Sequence, residues 1–293
     1  MQVILHLGVH GTDEDRLLKT LLRNADDFRR DGVAIPGPSR YRTLLSEVVN
    51  SLGGADPAED AREVLLDALL TEDAVDVHRL ILSHENLLSV PKLALAGGRL
   101  YRRAEERVCA IQRLFRGDAV EVWMGLRDFA SYLPAVYRES PAQSFDAFLH
   151  GADPMHLRWS SLIRRLREAA PEVPVTVWCN EDTPLLWGQI LRGMAGIDAE
   201  RKIIGSFDLF ADIISPEGMK RFRSFLKEND SVTEAQKRRV MMAFLDKYAL
   251  PEALEEELDL PGWDAAYVDM LTELYDEDVW QISRMPGVTL LGP

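Results

Sequence analysis

The chain has 293 residues, 46% of them hydrophobic and 28% charged, which provides enough apolar material for one large domain or two small ones. Its 34 basic and 48 acidic residues give a net charge of −14, which disfavours non-specific binding to nucleic acid because that binding needs cations to replace counterions. No run of about 18 apolar residues occurs, and the short apolar run after Met1 lacks the basic flank of a signal peptide, so we expect no membrane partner and a cytoplasmic location.

The alternation of apolar runs and helical periodicities predicts the order of elements. Buried strands are predicted where short apolar runs occur, at 2–7, 78–83, 119–126 and 173–179, with a short extended piece at 33–35. Helices are predicted where apolar residues recur at helical spacing, at 13–30, 40–52, 58–70, 101–116, 129–138, 143–149, 156–169 and 184–195. After residue 200 the chain is predicted to be almost entirely helical, with segments near 216–228, 233–248 and 263–283.

Strands that alternate with helices predict an α/β fold with a parallel central sheet and helices on both faces. We expect one domain over 1–293, with a mostly helical portion from about 205. Ligands of such folds collect at the carboxyl ends of the strands. The segments of interest are therefore the ones that follow the strands, at 6–15, 83–85, 127–131 and 180–182.

The two cysteines and two charged segments have simpler interpretations. Cys109 and Cys179 lack the spacing of metal ligands and lie in apolar segments, so we expect them to be buried and reduced. The arginines between 99 and 116 alternate with acidic residues, which is typical of a solvated helix with local ion pairs. The acidic segment 255–257 is interpreted as a solvated helix face, and the segment 180–182 as a cap for the helix that follows it.

The segments around the predicted strands resemble one protein family when they are taken in order. They read VILHLGVHGTDEDRLLKTLL, then ILSHENLL, then VWMGLRDFASYLPAVYRE, then VTVWCNEDTPLLWGQILRGMAGI, and near the end LTELYDEDVWQISRMPGVTLL, which is similar to the family's final helix. This succession resembles a bacterial sulfotransferase-like family with the P-loop nucleoside triphosphate hydrolase fold. The resemblance implies a donor, 3'-phosphoadenosine 5'-phosphosulfate, and an acceptor, an unknown small molecule or carbohydrate with a hydroxyl or amine.

The predicted phosphate-binding loop departs from the family's pattern. A phosphate loop needs glycines that let backbone N–H groups face the anion, a lysine, and a hydroxyl donor. Where the family has Lys-Thr-Gly-Thr-Thr, this chain has Gly11-Thr12-Asp13-Glu14-Asp15. The resemblance implies that Gly8, Gly11 and Thr12 bind the donor, but the lysine is missing and each carboxylate within about 4 Å of a phosphate repels it by roughly 1–4 kcal/mol.

Three alternatives remain open for this loop. Thr12 to Asp15 also form an N-cap pattern, with three acids in the first turn of the next helix. Arg16 or Lys19 could replace the missing lysine. A metal or a cationic ligand could take the place of the anion, with ligands that the sequence offers as His6, His10, Asp13 and Asp15.

The resemblance also implies a second group that binds the donor's 3'-phosphate. The family uses an arginine at the end of a strand, which Arg127 matches, and a serine eight residues later, where this chain has Ala135. Ser131, one helical turn after Arg127, is the proposed substitute. The alternative is that Arg127 is a surface residue or pairs with a neighbouring acid, which the sequence offers as Asp128, Glu181 or Asp182.

Catalysis in the family needs a base near the acceptor hydroxyl. Glu85 matches the family's Ser-x-Glu segment, and His84 and His10 are predicted nearby. The alternatives are a helix-start carboxylate for Glu85 and an exposed loop residue for His84.

Three hypotheses about function follow from the sequence. We prefer a sulfotransferase-family protein with lost or altered donor binding, which binds a ligand without transferring sulfate. The second is an active sulfotransferase with a remodelled donor site and the phosphosulfate as its cofactor. The third is a scaffold or a homo-oligomer component that uses the helical C-terminal part as its interface.

Overall fold

The computed structural model describes residues 1–70, 76–229, 232–254, 260 and 262–293. The strands are β1 Gln2–His6, β2 Val33–Ala34, β3 Arg79–Ser83, β4 Ala119–Leu126, β5 Val175–Cys179 and β6 Val288–Leu291. The helices are α1 Arg16–Leu22, α2 Ala25–Arg29, α3 Pro38–Leu52, α4 Ala61–Leu69, α5 Ala104–Leu114, α6 Phe129–Glu139, α7 Phe145–Leu149, α8 Trp159–Ala169, α9 Thr183–Ala195, α10 Asp208–Ile213, α11 Pro216–Glu228, α12 Glu234–Tyr248, α13 Pro251–Leu254 and α14 Ala265–Ile282.

The strands form one parallel sheet in the order β2-β3-β1-β4-β5-β6, which confirms the predicted fold class. The central strand β1 lies between β3 and β4, and its last residue, His6, is level with Ser83 of β3 and Trp123 of β4. Because the strands are parallel, the loops that follow β1, β3 and β4 leave the same edge of the sheet side by side. The fold therefore brings three of the predicted segments of interest together.

Helices cover both faces of the sheet because successive strand residues point to opposite sides. Val3 and Leu5 of β1 pack with the cluster that includes side chains of α3, α4, α5, α6, α8 and α14. Ile4 points to the other face and packs with α1, α2 and α9. A third, separate cluster joins α10, α11 and α12 through Phe210, Phe222 and other apolar side chains.

The predicted helix over 13–30 is two helices instead of one, because Asn24 interrupts it. The Asn24 amide donates to the carbonyl of Ile204 at 3.0 Å, and its amide oxygen accepts the backbone N–H of Ile204 at 2.9 Å. These bonds tie the junction between α1 and α2 to a segment 180 residues away. Helical periodicity cannot reveal such a partner, so the single-helix prediction is wrong for a tertiary reason.

The C-terminal region contains a strand that the sequence analysis missed. Residues after 200 are mostly helical as predicted, but β6 follows α14 and pairs with β5 along Val175–Trp178. The predicted helix near 263–283 is confirmed as α14, and the strand over 288–291 lies beyond it. Gly287, with φ of 72°, turns the chain into this strand. The predicted solvated face at 255–257 lies outside the described residues.

Both cysteines carry free thiols, but each is only partly buried, which corrects the expectation of full burial. Burial still raises the pKa of the Cys179 thiol to about 11. In the described part of the chain, no helix combines the length and apolar character needed to cross a membrane.

Candidate functional site

The loop that follows β1 packs directly against the loop that follows β3. A Cβ atom added to Gly8 would lie 2.7 Å from the Cα atom of Glu85 and 3.2 Å from its backbone nitrogen. Contacts of this length are closer than van der Waals packing permits, so the glycine is needed for the close approach of two backbones. Gly8 thus holds the predicted phosphate loop next to the predicted catalytic carboxylate.

The structure also brings together three of the predicted donor-binding residues. Gly11 has φ of 68°, and its carbonyl accepts a hydrogen bond from Nη1 of Arg127. Nε of Arg127 donates to Oγ of Ser131 at 2.9 Å, and that hydroxyl donates to the carbonyl of Asp128. Arg127 is only 8% exposed, so the alternative of a surface arginine is wrong. Ala135, at the family's serine position, lies against Gly11.

The acidic residues of the loop do not cap α1 in the way the sequence predicts. They precede the helix, and Asp15 adopts a left-handed conformation with φ of 63° just before it begins. The hydroxyl of Thr12 donates to the carbonyl of Val9 at 2.6 Å. The carboxylate of Asp13 instead accepts the backbone N–H of Leu17 at 3.2 Å. A side-chain anion therefore already binds an N–H group of the first turn.

Asp15 is neutralised by an arginine from α3. Arg42 donates from both terminal nitrogens to the Asp15 carboxylate, one of these bonds measuring 3.0 Å, and from Nε to the carbonyl of Ser83 at 3.0 Å. The hydrogen bond from Arg42 holds the pKa of Asp15 below its usual value. Arg42 was missed by sequence reasoning, since no motif marks an arginine in the first turns of a helix as part of a site.

His10 lies within a chain of buried and partly buried hydrogen bonds, in which both of its ring nitrogens have partners. Tyr132 donates to the hydroxyl of Tyr101 at 2.9 Å, and this hydroxyl lies 3.1 Å from Nδ1 of His10. Nε2 of His10 lies 3.2 Å from the amide oxygen of Asn86, whose nitrogen donates to Glu85 at 3.3 Å. Burial lowers the pKa of His10, so it is neutral and orients Asn86.

His84 is buried, which corrects the alternative of an exposed loop residue. Its Nε2 lies 3.0 Å from the carbonyl of Arg42 and 2.8 Å from the hydroxyl of Ser46. Its Nδ1 has no hydrogen-bond partner among the described residues. Burial lowers the pKa of His84 to about 4, so the ring is neutral near pH 7.

Glu85 is the most exposed of the three predicted catalytic side chains, at 41%. Its carboxylate lies 3.9 Å from Nη1 of Arg42. Partial burial raises the pKa of Glu85, and the negative charge of Asp15 adds to this effect. A half-exposed carboxylate of raised pKa beside an arginine is chemically suited to accept a proton.

The side chains proposed as metal ligands point to different partners. His6 places Nδ1 2.9 Å from the hydroxyl of Ser83 and stacks on Trp178 with ring centroids 6.0 Å apart. Burial lowers the pKa of His6. Among the residues that the structure describes, no group of three or more His, Cys, Asp or Glu side chains could hold a metal ion. The metal alternative therefore finds no support in the geometry.

The two cations proposed to replace the missing lysine differ in position. Arg16 pairs with Asp212 of α10. Nζ of Lys19 lies 3.4 Å from the carbonyl of Glu14 and stays near the loop.

The segment after β5 joins neighbouring elements through Glu181 and does not cap α9. Asp182 makes no side-chain hydrogen bond to the start of α9, so the predicted cap is wrong. Glu181 accepts the backbone N–H of Asp128 at 3.0 Å and the hydroxyl of Tyr275 at 3.1 Å. It thereby links the end of β4 to α14.

A cleft of about 900 Å³ opens beside this group of loops, between α3, α5 and the segment after β3. We call it the α3–α5 cleft, and its lining includes Ser46, Asn86, Val90, Leu93, Arg102 and Arg107. Ser46 and Asn86 are the partners of His84 and His10, so the cleft adjoins the buried histidines. Three arginines of the run interpreted as a solvated face line this cleft, which the sequence analysis did not foresee.

The site consists of the loop after β1, whose groups are hydrogen-bonded within the protein, the half-exposed Glu85 after β3, the buried Arg127 after β4 and the adjoining α3–α5 cleft. No protein-family model, curated protein or solved structure matches the chain, so the contacts described above are the guide to its function.

Proposed function

We propose that the chain is a sulfotransferase-like protein that has lost binding of the phosphosulfate donor and acts as a ligand-binding protein. The observation that carries the proposal is the contact between the Asp13 carboxylate and the N–H of Leu17. Free N–H groups at this position are what a phosphate would need. In this chain a carboxylate of the loop itself already accepts that hydrogen bond.

The second acid and its partner support the same conclusion. A phosphate near the loop would have to compete with Asp15 for Arg42, which already makes two hydrogen bonds to that carboxylate. Each carboxylate that stays within about 4 Å would repel one phosphate charge by roughly 1–4 kcal/mol. The carbonyl of Gly11 accepts from Arg127, so the arginine is already bonded to the protein's own backbone.

An active sulfotransferase remains the second candidate because Arg127 and Ser131 lie side by side near Gly11, with Glu85 half-exposed nearby. In that reaction the acceptor oxygen forms a bond to sulfur while the bond from sulfur to the donor's phosphate oxygen breaks. Glu85 would take the acceptor's proton, and the nucleotide would leave as 3'-phosphoadenosine 5'-phosphate.

A thermal-shift titration with 3'-phosphoadenosine 5'-phosphate separates the two candidates. A ligand at about a hundred times its dissociation constant stabilises a fold by roughly 2.7 kcal/mol, which gives a clear shift. We expect no shift up to several millimolar nucleotide, and no transfer of labelled sulfate from the phosphosulfate to any acceptor above background.

The opposite outcome would be a saturable shift that weakens in Ser131→Ala, a variant that retains Arg127 but removes the hydroxyl that accepts its Nε–H group. Such a shift would mean that the donor pocket is intact, and the active enzyme would become the preferred function. A control titration with adenosine distinguishes recognition of the phosphates from recognition of the base.

A further inference from the structure

The α3–α5 cleft has a cationic side that contrasts with the net charge of the chain. Arg102, Arg103 and Arg107 line it, against one lining carboxylate, Glu106. Arg103 is neutralised by Glu106, from which its Nη2 atom is 2.7 Å away. Two guanidinium groups therefore remain to attract an anion in a protein whose net charge is −14.

The two remaining arginines differ in how they are held. Nη1 of Arg107 donates to the carbonyl of Leu87 at 2.7 Å, and Nη2 donates to Asn50 at 3.0 Å. These neutral partners fix the guanidinium, and its charge is offset in part by the electrostatic attraction of Glu106, which also pairs with Arg103. Arg102 is exposed and has no ion pair among the described residues. The cleft thus combines one fixed and one adjustable cation.

Part of the cleft lining is apolar. Val90 is 38% exposed and Leu93 is 45% exposed, and both line the cleft together with Leu88 and Ala96. Apolar side chains that stay in contact with water lower the free energy of the system when a ligand covers them. Ser46, next to these surfaces, offers a hydroxyl.

We propose that the α3–α5 cleft binds an anionic amphipathic small molecule, with a single oxyanion head at Arg102 and Arg107 and an apolar body against Val90 and Leu93. A volume of about 900 Å³ lies within the usual range for small-molecule sites, roughly 300–1,000 Å³. The inference rests on the proposed function in one respect, since it names the ligand class of a protein that binds without transfer.

Isothermal titration calorimetry with alkyl oxyanions tests the inference. The probes are octyl sulfate and octanoate, below their critical micelle concentrations, with octylamine and octyl glucoside as cationic and neutral controls. We expect one-to-one binding of an oxyanion probe and at least about tenfold weaker binding of both controls, because a charge-assisted hydrogen bond changes affinity by roughly 10- to 100-fold. The two oxyanions show which head group the arginines prefer.

Variants locate the binding site. Arg102→Ala is expected to weaken octyl sulfate roughly 10- to 100-fold. Arg116→Ala, which removes an exposed arginine just after α5 and outside the cleft lining, is the matched control and is expected to leave affinity unchanged. If the alkyl chain is buried, each added methylene should tighten binding about fourfold, so octyl sulfate should bind more tightly than hexyl sulfate. Leu93→Ser should reduce this difference.

Three results would overturn the inference: no binding of either oxyanion probe, equal binding of octyl glucoside and octyl sulfate, or equal loss of affinity in Arg102→Ala and Arg116→Ala. A failure here is distinguishable from a failure of the proposed function. Absence of alkyl-oxyanion binding together with absence of a nucleotide shift would remove the cleft proposal and leave donor loss standing. A nucleotide shift would reverse donor loss, and the alkyl-oxyanion titration would then decide the cleft proposal by itself.

Discussion

Gly8 shows how one residue type sets the geometry of the candidate site. Its backbone lies so close to Glu85 that the loops after β1 and β3 behave as one packed unit. The position carries no side chain because there is no room for one, whatever ligand the site takes. Substitution therefore tests packing and site geometry at once.

We expect Gly8→Ala to destabilise the fold by about 1–3 kcal/mol, because the new methyl group must displace the Glu85 backbone. Gly37→Ala is the matched control, since Gly37 has φ of −63° and no heavy atom within 4 Å of an added Cβ. It should change stability by less than about 0.5 kcal/mol. Urea denaturation measures both, and equal effects would contradict the packing argument.

His84 makes stability depend on pH. The folded state keeps the imidazole neutral down to about pH 4, whereas its ordinary pKa is 6.5. Between these values the unfolded state binds more protons than the folded state. The contribution of neutral His84 to the free energy of unfolding is therefore complete above about pH 6.5 and is lost as the pH falls towards 4. The loss amounts to about 3 kcal/mol at the acid end. The pKa of Asp15 is also lowered, so its stabilising contribution is lost at a still lower pH, where its carboxylate becomes protonated.

We expect the free energy of unfolding of His84→Gln to vary less between pH 4.5 and 7.5 than that of the unaltered protein. Glutamine retains a donor that can reach the Arg42 carbonyl but does not titrate. Urea denaturation across this range gives both curves, and their difference isolates His84 from the other titrating groups. Parallel curves would mean that folding does not shift the pKa of His84.

At the scale of elements, one side chain of α14 caps another helix. The carboxylate of Asp278, only 1% exposed, accepts the backbone N–H of Ser160 at the start of α8 at 3.1 Å. The first N–H groups of a helix have no partner within the helix, so a buried helix start needs an acceptor from elsewhere. This buried hydrogen bond thus joins α8 to α14 within the cluster of apolar side chains that both helices share.

We expect Asp278→Ala to destabilise the protein by about 1–3 kcal/mol, because it leaves a buried N–H of α8 unpaired. Asp278→Asn keeps an acceptor oxygen and should lose clearly less. Glu277→Ala, an exposed neighbour on the same helix, should have little effect. Chemical denaturation compares the three variants, and a similar loss in all of them would exclude the capping role.

At the scale of the molecule, helices α10, α11 and α12 pack through their own cluster, whereas α14 belongs to a cluster on the sheet. Phe210, Phe222 and Met241 join α10, α11 and α12, separately from the two clusters on the sheet. Cooperative units of a protein open with different free energies when few apolar contacts connect them. The central strands β1 and β4 are buried between both helical layers, so we expect them to belong to the most stable unit.

We expect backbone amides of α11 and α12 to exchange with deuterium faster than those of β1 and β4 under native conditions. The reason is that the third cluster can separate from α9 without exposing the sheet. Hydrogen exchange followed by mass spectrometry provides the comparison. Equal protection in both regions would mean that the chain unfolds as one cooperative unit.

The strands β1, β3, β4 and β5 and most helices could be predicted from the sequence, to within a few residues at their ends. Local hydrophobic periodicity reports which residues are buried, and this information is present in each segment by itself. The sequence also places Gly11 and Arg127 after predicted strands, but it does not predict the hydrogen bond between them. The acids of the loop, whose negative charge disfavours binding of the anionic donor, are visible in the sequence.

The tertiary structure alone decided which segments meet. Strand order places the loops after β1, β3 and β4 together, pairs Asp15 with Arg42 of α3, and adds β6 at the edge. It also turns a run of arginines from an assumed solvated surface into one side of a cleft. The physical reason is that periodicity encodes burial but not the identity of the neighbour, and these contacts join residues far apart in the chain.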